Sequence, residues 1–289
     1  MSDPEVPDFF HTVRISIFGL GLMGGSLALA LRGRCAHLTG YDPDLATLRL
    51  AETRGVVDEA YPNASDALAA SDLAVLAAPV KGILEWLQLL PNLAQGEMVV
   101  LDLGSTKREI CKAMERLPER FDPIGGHPMC GKEIGGLEQA EGELFSASTF
   151  AFTPLPRTTP RAIVFCKQLS QAIGAFPIFL DPNTHDRWVA ATSHVPYLLA
   201  VALGLATPIE SAQLMGSGFQ STSRVGKTPS SMMLDVLLTN QDNVLEALEN
   251  FRGEIQGLEK ALSEQDEAGL RKLLEAGAQR LRTELAGTR

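Results

Sequence analysis

The sequence has few cysteines, and they stand far apart. Only four occur among 289 residues, without CxxC or CxxH spacing, so neither a disulfide framework nor a zinc site is expected. Cys130 lies three residues past His127, but suitable further ligands are not visible nearby, and we expect neither a metal ion nor a nucleophilic thiol there. With no secretory segment at the start of the sequence, isolated thiols favour a reduced, cytoplasmic protein.

Basic runs, repeats and low-complexity tracts are also missing. The chain carries 25 Lys and Arg against 35 Asp and Glu, a formal net charge of −10. This balance argues against nucleic acid or an anionic membrane surface as a general partner. The length and the 45% hydrophobic content predict one or two domains with a substantial core.

One long stretch, residues 188–206, carries no charge and has nearly the length of a membrane span. It contains His194 and other polar residues, and it lacks the basic flank that orients a span. A helix that is apolar all round is also typical of a domain centre or a dimer interface. We therefore predict a buried helix and no membrane partner.

The first part of the chain alternates short apolar runs with helical patterns. The runs that predict strands lie at 14–18, 38–41, 73–78, 98–103, 123–124, 150–153 and 177–180. Several are continuously apolar, as in parallel strands that are covered on both faces. This alternation predicts a doubly wound α/β domain over residues 1–180. After Asp181 only the helical period persists, which predicts an all-α domain over residues 181–289.

A GxGxxG fingerprint follows the first predicted strand directly and opens a helical pattern. In this motif the glycines permit a tight turn, close approach of a pyrophosphate, and packing of helix on strand. The positive end of the helix dipole favours the phosphates. The residues that we expect to bind a dinucleotide are Gly19, Gly21, Leu22, Met23, Gly24 and Pro79.

Asp42 ends the second predicted strand, about twenty residues past the glycines. A carboxylate at this place accepts hydrogen bonds from the ribose hydroxyls and repels a 2′-phosphate, so we predict NAD rather than NADP. Asp42 is also placed to be the N-cap of a helix that starts at Pro43, and the two roles are compatible.

Two polar residues follow neighbouring predicted strands. Ligands of open parallel sheets lie at the carboxyl ends of the strands, so Ser105 and His127 are expected beside the nicotinamide. Ser105 is equally suited to be an N-cap of a helix over 106–117. His127 lies in a predicted glycine-rich loop, residues 125–131, where it serves catalysis or stabilises the loop.

Five motifs resemble the prephenate/arogenate dehydrogenase family of tyrosine biosynthesis. They are GLGLMGG at 19–25, DLGSTK at 102–107, GGHPMCGKE at 125–133, HDRWVAATSHVP at 185–196 and GSGFQSTSRVGK at 216–227. The resemblance implies a Rossmann-type NAD domain, a helical domain that builds a homodimer, and NAD-dependent oxidative decarboxylation of prephenate to 4-hydroxyphenylpyruvate.

The resemblance also implies residue roles. His127 takes the proton of the ring hydroxyl, for which an imidazole is suited at neutral pH. Ser105 hydrogen-bonds that hydroxyl or His127, and Arg224 clamps a substrate carboxylate, unless it is an ordinary surface arginine. His185 and His194 support the site or are core histidines.

Substrate choice stays open at this stage. Some relatives that use prephenate have a histidine where this chain has Tyr197. Glu133 is placed either to favour the ammonium of arogenate or to cap a following helix. Arogenate dehydrogenase or a dual-specificity cyclohexadienyl dehydrogenase is therefore the alternative. A β-hydroxyacid or imine reductase and a non-enzymatic NAD sensor are less favoured, the reductases because of the GGHP sequence.

Overall fold

A computed structural model of the chain describes residues 10–286. It contains one eight-stranded sheet with the order β3-β2-β1-β4-β5-β6-β7-β8, in which every neighbouring pair is parallel except β6 and β7. The strands are β1 Arg14–Phe18, β2 His37–Tyr41, β3 Glu59–Tyr61, β4 Leu73–Leu76, β5 Met98–Asp102, β6 Phe121–Pro128, β7 Thr149–Pro154 and β8 Phe176–Phe179.

Helices fill the connections within the sheet and make up the rest of the described chain. The first six are α1 Leu22–Leu31, α2 Leu45–Thr53, α3 Ala64–Leu68, α4 Val80–Leu93, α5 Arg108–Met114 and α6 Pro160–Ile173. The others are α7 Pro182–Val189, α8 Val195–Ala206, α9 Ser217–Ser223, α10 Ser230–Thr239, α11 Gln241–Ser263 and α12 Glu267–Ala286. No strand occurs from 181 to 286, in agreement with the helical pattern there.

The core consists of two apolar clusters, one on each face of the sheet. Along β4, Leu73 and Val75 belong to one cluster, whereas Ala74 and Leu76 belong to the other. This alternation is the period of two of a β-strand, and it explains why the strand sequences are apolar without interruption.

The chain forms two compact units, one that ends at Gln241 and one that begins at Asp242. The first contains the whole sheet and α7 to α10, and the second consists of the two long helices. The predicted domain boundary between residues 180 and 181 falls just after the last strand, and it stays a prediction.

Helices α7 and α8 are joined by a π-helical turn, Ala190–His194, into one continuous helix. Segment Pro182–Ala206 is long and apolar enough to cross a membrane, by length and composition only, and 28% of its most apolar window is buried. The predicted helix is therefore present, but burial at the centre of the domain is wrong for the single chain. The other predicted location of this helix is a dimer interface.

Two local differences from prediction bear on the site. Strand β6 continues through Gly125 and Gly126, so His127 lies on a strand rather than in a loop. The reason is a distant partner: β7 pairs antiparallel with this segment, and His127 lies opposite Ala151. The short strand β3, at the edge of the sheet, was not predicted.

Candidate active site

A cleft of about 290 Å³ opens beside the carboxyl ends of the central strands. Its walls include six residues that were predicted as site residues, Gly21, Leu22, Met23, Pro79, Ser105 and His127. Helix α10 contributes Met232 and Val236, which sequence reasoning missed. The lining is mostly apolar with a few polar groups, as is typical of a cofactor site.

The glycines of the fingerprint have the geometry that a dinucleotide requires. Gly19 has a φ of +96°, and a Cβ there would lie 2.4 Å from the carbonyl oxygen of Ala77. A Cβ on Gly24 would lie 1.9 Å from the carbonyl oxygen of Gly19, so only glycine lets α1 pack this closely. Gly21 faces open space, and α1 begins there without a side-chain cap, which leaves its first N–H groups available to phosphate.

Asp42 lies at the end of β2 beside this turn. Its Oδ2 accepts a hydrogen bond from the Leu20 N–H at 2.8 Å, and its Oδ1 accepts one from the Asp44 N–H at 2.9 Å. Asp44, not Asp42, is the N-cap of α2, because its carboxylate accepts from the N–H groups of Ala46 and Thr47. The alternative N-cap role of Asp42 is therefore wrong.

Three side chains from two elements form a hydrogen-bonded row behind the cleft. Nδ1 of His127 lies 2.9 Å from Nε2 of His185, and Nδ1 of His185 lies 2.8 Å from Oδ1 of Asp186. His185 and Asp186 are buried on α7, whereas His127 is half-buried and reaches the cleft. The structure thus brings two predicted histidines into direct contact, and it adds an aspartate that was not predicted.

The row determines the tautomers of both imidazoles. The Asp186 carboxylate can only accept, so Nδ1 of His185 donates to it, and Nε2 of His185 is the acceptor toward His127. His127 then donates from Nδ1, which leaves the lone pair on its Nε2 as the basic site. This orientation is that of a general base held by a carboxylate through an intermediate imidazole.

Burial is the main influence on the protonation of these histidines. It lowers the pKa of His127 well below the usual 6.5, and the neighbouring His185, Lys107 and His194 lower it further. Burial also lowers the pKa of His194 to about 4, against the opposing effect of Asp186. Both imidazoles are therefore neutral at pH 7.

Asp186 is held from the far side by the start of α5. Its Oδ1 accepts from the Lys107 N–H at 2.7 Å, and its Oδ2 accepts from the Arg108 N–H at 2.9 Å. The carboxylate thus takes the place of an N-cap for α5. Ser105 precedes the N-cap position, which Lys107 occupies, so the predicted capping role of Ser105 is wrong.

Asn240 connects His194 to the same cluster. Its Nδ2 donates to the backbone oxygen of Asp186 at 2.7 Å and lies 3.3 Å from Nδ1 of His194. Because the amide is a donor, Nδ1 of His194 accepts and the imidazole proton sits on Nε2. A lone asparagine at the end of a helical pattern carries no sequence signal for this role.

The remaining predicted residues lie outside the cleft lining. Arg224 and Glu133, from segments 91 residues apart, form an ion pair with each other. Glu133 does not cap a helix, since the next helical turn begins at Leu137. Tyr197 is half-buried on α8 and packs against the apolar cluster that contains Phe18.

Neither a metal nor a reactive thiol is supported by the geometry. Among residues 10–286, no group of three or more His, Cys, Asp and Glu side chains is arranged to hold a metal ion. Cys130 lines the cleft, but burial raises the pKa of its thiol, which disfavours the nucleophilic thiolate.

Comparison with known proteins places the chain in a family. The family model "Prephenate dehydrogenase, nucleotide-binding domain" matches residues 27–178, and "Prephenate dehydrogenase, dimerization domain" matches residues 181–276. A prephenate dehydrogenase of Bacillus subtilis is 28% identical over 267 residues, which are 89% of this chain and 72% of that protein.

Solved structures give the same result. The prephenate dehydrogenase of A. aeolicus, in complex with hydroxyphenyl propionate and NAD+, has a TM-score of 0.84 at 27% identity and covers 94% of this chain and 98% of its own. An arogenate dehydrogenase of Synechocystis has a TM-score of 0.82 at 29% identity, covering 94% and 99%. These matches confirm the predicted fold class, the oxidoreductase activity and the cofactor NAD. The chain therefore belongs to the prephenate dehydrogenase family of NAD-dependent oxidoreductases.

Proposed function

We propose that this protein converts prephenate to 4-hydroxyphenylpyruvate in tyrosine biosynthesis and that His127 is the general base. The observation that carries the proposal is the row from Asp186 through His185 to His127, which aims a basic lone pair away from the two supporting residues. Such a row also stabilises the imidazolium that forms when His127 takes a proton.

The row suits the oxidation of a ring alcohol whose product becomes aromatic when CO2 leaves. Nε2 of His127 takes the proton of the hydroxyl group as the hydroxyl-bearing carbon loses a hydride. The ring carboxylate then leaves as CO2, its bonding electrons complete the aromatic ring, and the phenolate oxygen regains a proton from the His127 imidazolium. Aromatisation makes the reaction effectively irreversible.

NAD+ accepts the hydride when it is bound, and the residues at the start of α1 suit it. Gly19, Gly21 and Gly24 allow the pyrophosphate to approach the uncapped N-terminus of that helix. Asp42 is assigned to the ribose hydroxyls. Leu22, Met23 and Pro79 line the cleft and are assigned to the cofactor as well.

The substrate is assigned to polar groups around the base. Ser105 lines the cleft with His127 and is proposed to hydrogen-bond the reacting hydroxyl. Arg224, whose side chain is 63% exposed and forms an ion pair with Glu133, is proposed to bind a substrate carboxylate. His194, which carries its proton on Nε2, and Tyr197, three residues farther along the same continuous helix, are also proposed to lie beside the substrate.

Arogenate is the second candidate substrate, alone or together with prephenate. It is favoured by the similarity to the arogenate dehydrogenase of Synechocystis. Glu133, the predicted partner of the ammonium group of arogenate, pairs with Arg224 in the structure.

The test is the formation of NADH by the purified protein with prephenate and with arogenate, for wild type, His127→Asn and His37→Asn. His127→Asn removes the base and is expected to lower kcat by roughly 10²- to 10⁴-fold with unchanged NADH binding. His37 lies on β2 and faces Asp58 and Glu59, so its variant is the matched control. Near-normal turnover by His127→Asn would remove His127 from the mechanism, and NADH binding without turnover of either substrate would favour the NAD sensor.

We also propose a cytoplasmic homodimer that is built by residues 181–289, with neither nucleic acid nor membrane as a partner. Support comes from the description of the matched family domain as a dimerization domain. Large apolar side chains in this region are unusually exposed in the single chain, with Leu205 at 84%, Ile209 at 82% and Leu214 at 88%. Light scattering on the purified protein without detergent tests the proposal, and a monomer would contradict it.

A further inference from the structure

Lys107 is completely buried, which is rare for a lysine. Its Nζ forms an ion pair with the equally buried Asp102 and donates a hydrogen bond to the Gly126 carbonyl oxygen at 2.6 Å. Burying such a pair costs desolvation energy, and apolar replacements of similar volume are often as stable or more so. Stability alone is therefore a weak explanation for this pair.

The ion pair lies where the backbone ladder between β5 and β6 ends. The two strands are paired from Met98 opposite Phe121 to Leu101 opposite Ile124. Beyond that point, side chains from the β5 side hold Gly126. Its N–H donates to Oδ1 of Asp102 at 3.0 Å, and its carbonyl oxygen accepts from Lys107.

The same pair also holds the segment that carries Ser105. Oδ2 of Asp102 accepts from the Gly104 N–H at 2.8 Å. Gly104 directly precedes Ser105, and Gly126 directly precedes His127. One buried ion pair thus fixes the backbone immediately before both polar residues of the cleft.

Lys107 reaches the far end of the row as well. Its backbone N–H donates to Oδ1 of Asp186 at 2.7 Å, and that oxygen also accepts from Nδ1 of His185. The side chain of Lys107 thus holds the strand under His127, while its main chain holds the carboxylate behind His185.

Glycines make room for this arrangement. A Cβ on Gly126 would lie 2.6 Å from the backbone oxygen of Asp102, and a Cβ on Gly104 would lie 2.9 Å from its Oδ2. A Cβ on Gly125 would lie 2.1 Å from Oγ1 of Thr153 and 3.3 Å from Cδ of Lys107. The glycine-rich sequence before His127 therefore allows the ion pair to reach the backbone of β6.

We propose that Lys107, through its pair with Asp102, is a positioning residue that holds His127, Ser105 and Asp186 in one arrangement. The inference rests on the proposed function only for the role of His127 as the base. It predicts that Lys107 affects turnover without touching substrate or cofactor.

The test compares Lys107→Met with wild type and with Leu169→Ala, a variant of a buried residue on α6 outside the cleft lining. Lys107→Met is expected to lower kcat by about 10²-fold, since a displacement of about 1 Å at a catalytic group has an effect of that size. Affinity for NADH should change less than about threefold. Leu169→Ala is destabilised in its core and should keep its kcat.

A second readout is the acid limb of kcat/KM against pH. Charged and titratable groups that act on His127 are His185, His194 and Lys107, and Asp186 closes the row. Removing the lysine cation while the others stay should move the acid limb to higher pH. A loss of fold alone would reduce activity without moving this limb.

The paired variant Asp102→Asn/Lys107→Met removes both charges and therefore leaves no buried charge unpaired. It replaces Lys107→Met in the test if that single variant fails to fold. It is expected to show the same fall in kcat, since the two bonds to Gly126 are weakened or lost. A kcat within about threefold of wild type in Lys107→Met, or in the paired variant where Lys107→Met does not fold, would overturn the proposal.

If the wild-type protein turns over neither prephenate nor arogenate, the proposed function is wrong. The positioning role of Lys107 is then tested by NMR. Titration of the ¹⁵N-labelled His127 ring in the free protein should show a higher pKa in Lys107→Met than in wild type. An identical titration would overturn the positioning role independently of the reaction.

Discussion

The row behind His127 makes Asp186→Asn the most informative substitution. Oδ1 of Asp186 accepts hydrogen bonds from the Lys107 N–H and from Nδ1 of His185, and Oδ2 accepts one from the Arg108 N–H. The bond from His185 is the one that determines the tautomers. An asparagine keeps the size of the side chain but replaces one acceptor oxygen by a donor NH2 group. If this NH2 faces Nδ1 of His185, His185 becomes a donor from Nε2, and His127 must carry its proton on the Nε2 that faces the substrate.

The expected magnitude follows from that exchange of tautomers. A base that is protonated at the reacting nitrogen loses the usual contribution of general base catalysis, roughly 10²- to 10⁴-fold in kcat. In a serine protease triad, the equivalent change of aspartate to asparagine lowers kcat by about 10⁴-fold. These factors correspond to about 2.7 to 5.4 kcal/mol in activation free energy. Loss of the charge-assisted bond to one backbone N–H of α5 should cost about 1 to 3 kcal/mol in stability.

The assay is steady-state NADH formation with prephenate over a range of pH, with NADH affinity measured separately. Asp181→Asn is the matched control, because Asp181 caps the same helix, α7, and asparagine is an equally good N-cap. Asp186→Asn should lose turnover and keep NADH affinity, while Asp181→Asn should keep both. A kcat of Asp186→Asn within about threefold of wild type would refute the tautomer argument.

Three further outcomes are expected. Arg224→Ala should raise KM for prephenate by roughly tenfold to a few thousandfold with NADH affinity unchanged, and Arg224→Lys should recover part of the loss; weaker NADH binding with an unchanged KM would instead assign Arg224 to the dinucleotide. Asp42→Ser should relax the preference for NAD toward NADP, and equal use of both cofactors by the wild type would contradict the role of Asp42. The pKa of His194 is about 4 in the folded chain and 6.5 in the unfolded chain, so proton binding favours the unfolded chain. Chemical denaturation should therefore show that the free energy of unfolding decreases below about pH 6.5, by on the order of 2 kcal/mol at pH 5. His194→Asn should remove this share of the loss, and a stability curve identical to that of wild type would contradict it.

Local sequence was sufficient for the parts of the site that depend on neighbouring residues. The run before Gly19, the turn and the start of α1 lie within ten residues, so their sequence alone predicts strand, turn and helix. Likewise, the apolar runs at 73–78 and 98–103 predicted β4 and β5, although β4 ends at Leu76 and β5 at Asp102. Because ligands of open parallel sheets bind at the carboxyl ends of the strands, Ser105 and His127 were then predicted to lie at the same edge of the sheet.

Capping and strand ends were harder to predict, because distant partners competed with local ones. Asp42 resembles an N-cap in the sequence, but the Leu20 N–H, 22 residues away, engages its carboxylate. For α5, the acceptor of the first N–H groups is Asp186, 78 residues beyond Arg108. The segment that contains His127 is a strand because β7 pairs with it.

The sequence by itself determined the fold class, the cofactor and the residue types for the chemistry, since apolar periodicity, glycine spacing and motifs are local properties. Only the tertiary structure decided which nitrogen of His127 carries its proton and which keeps a lone pair toward the cleft. That choice depends on two hydrogen bonds through His185 to Asp186, which lie 58 and 59 positions farther along the chain. Folding also buried Lys107 beside Asp102, which the sequence did not indicate. Hydrogen-bond direction and desolvation act over a few ångströms of space, so they are fixed only when the folded chain brings these residues together.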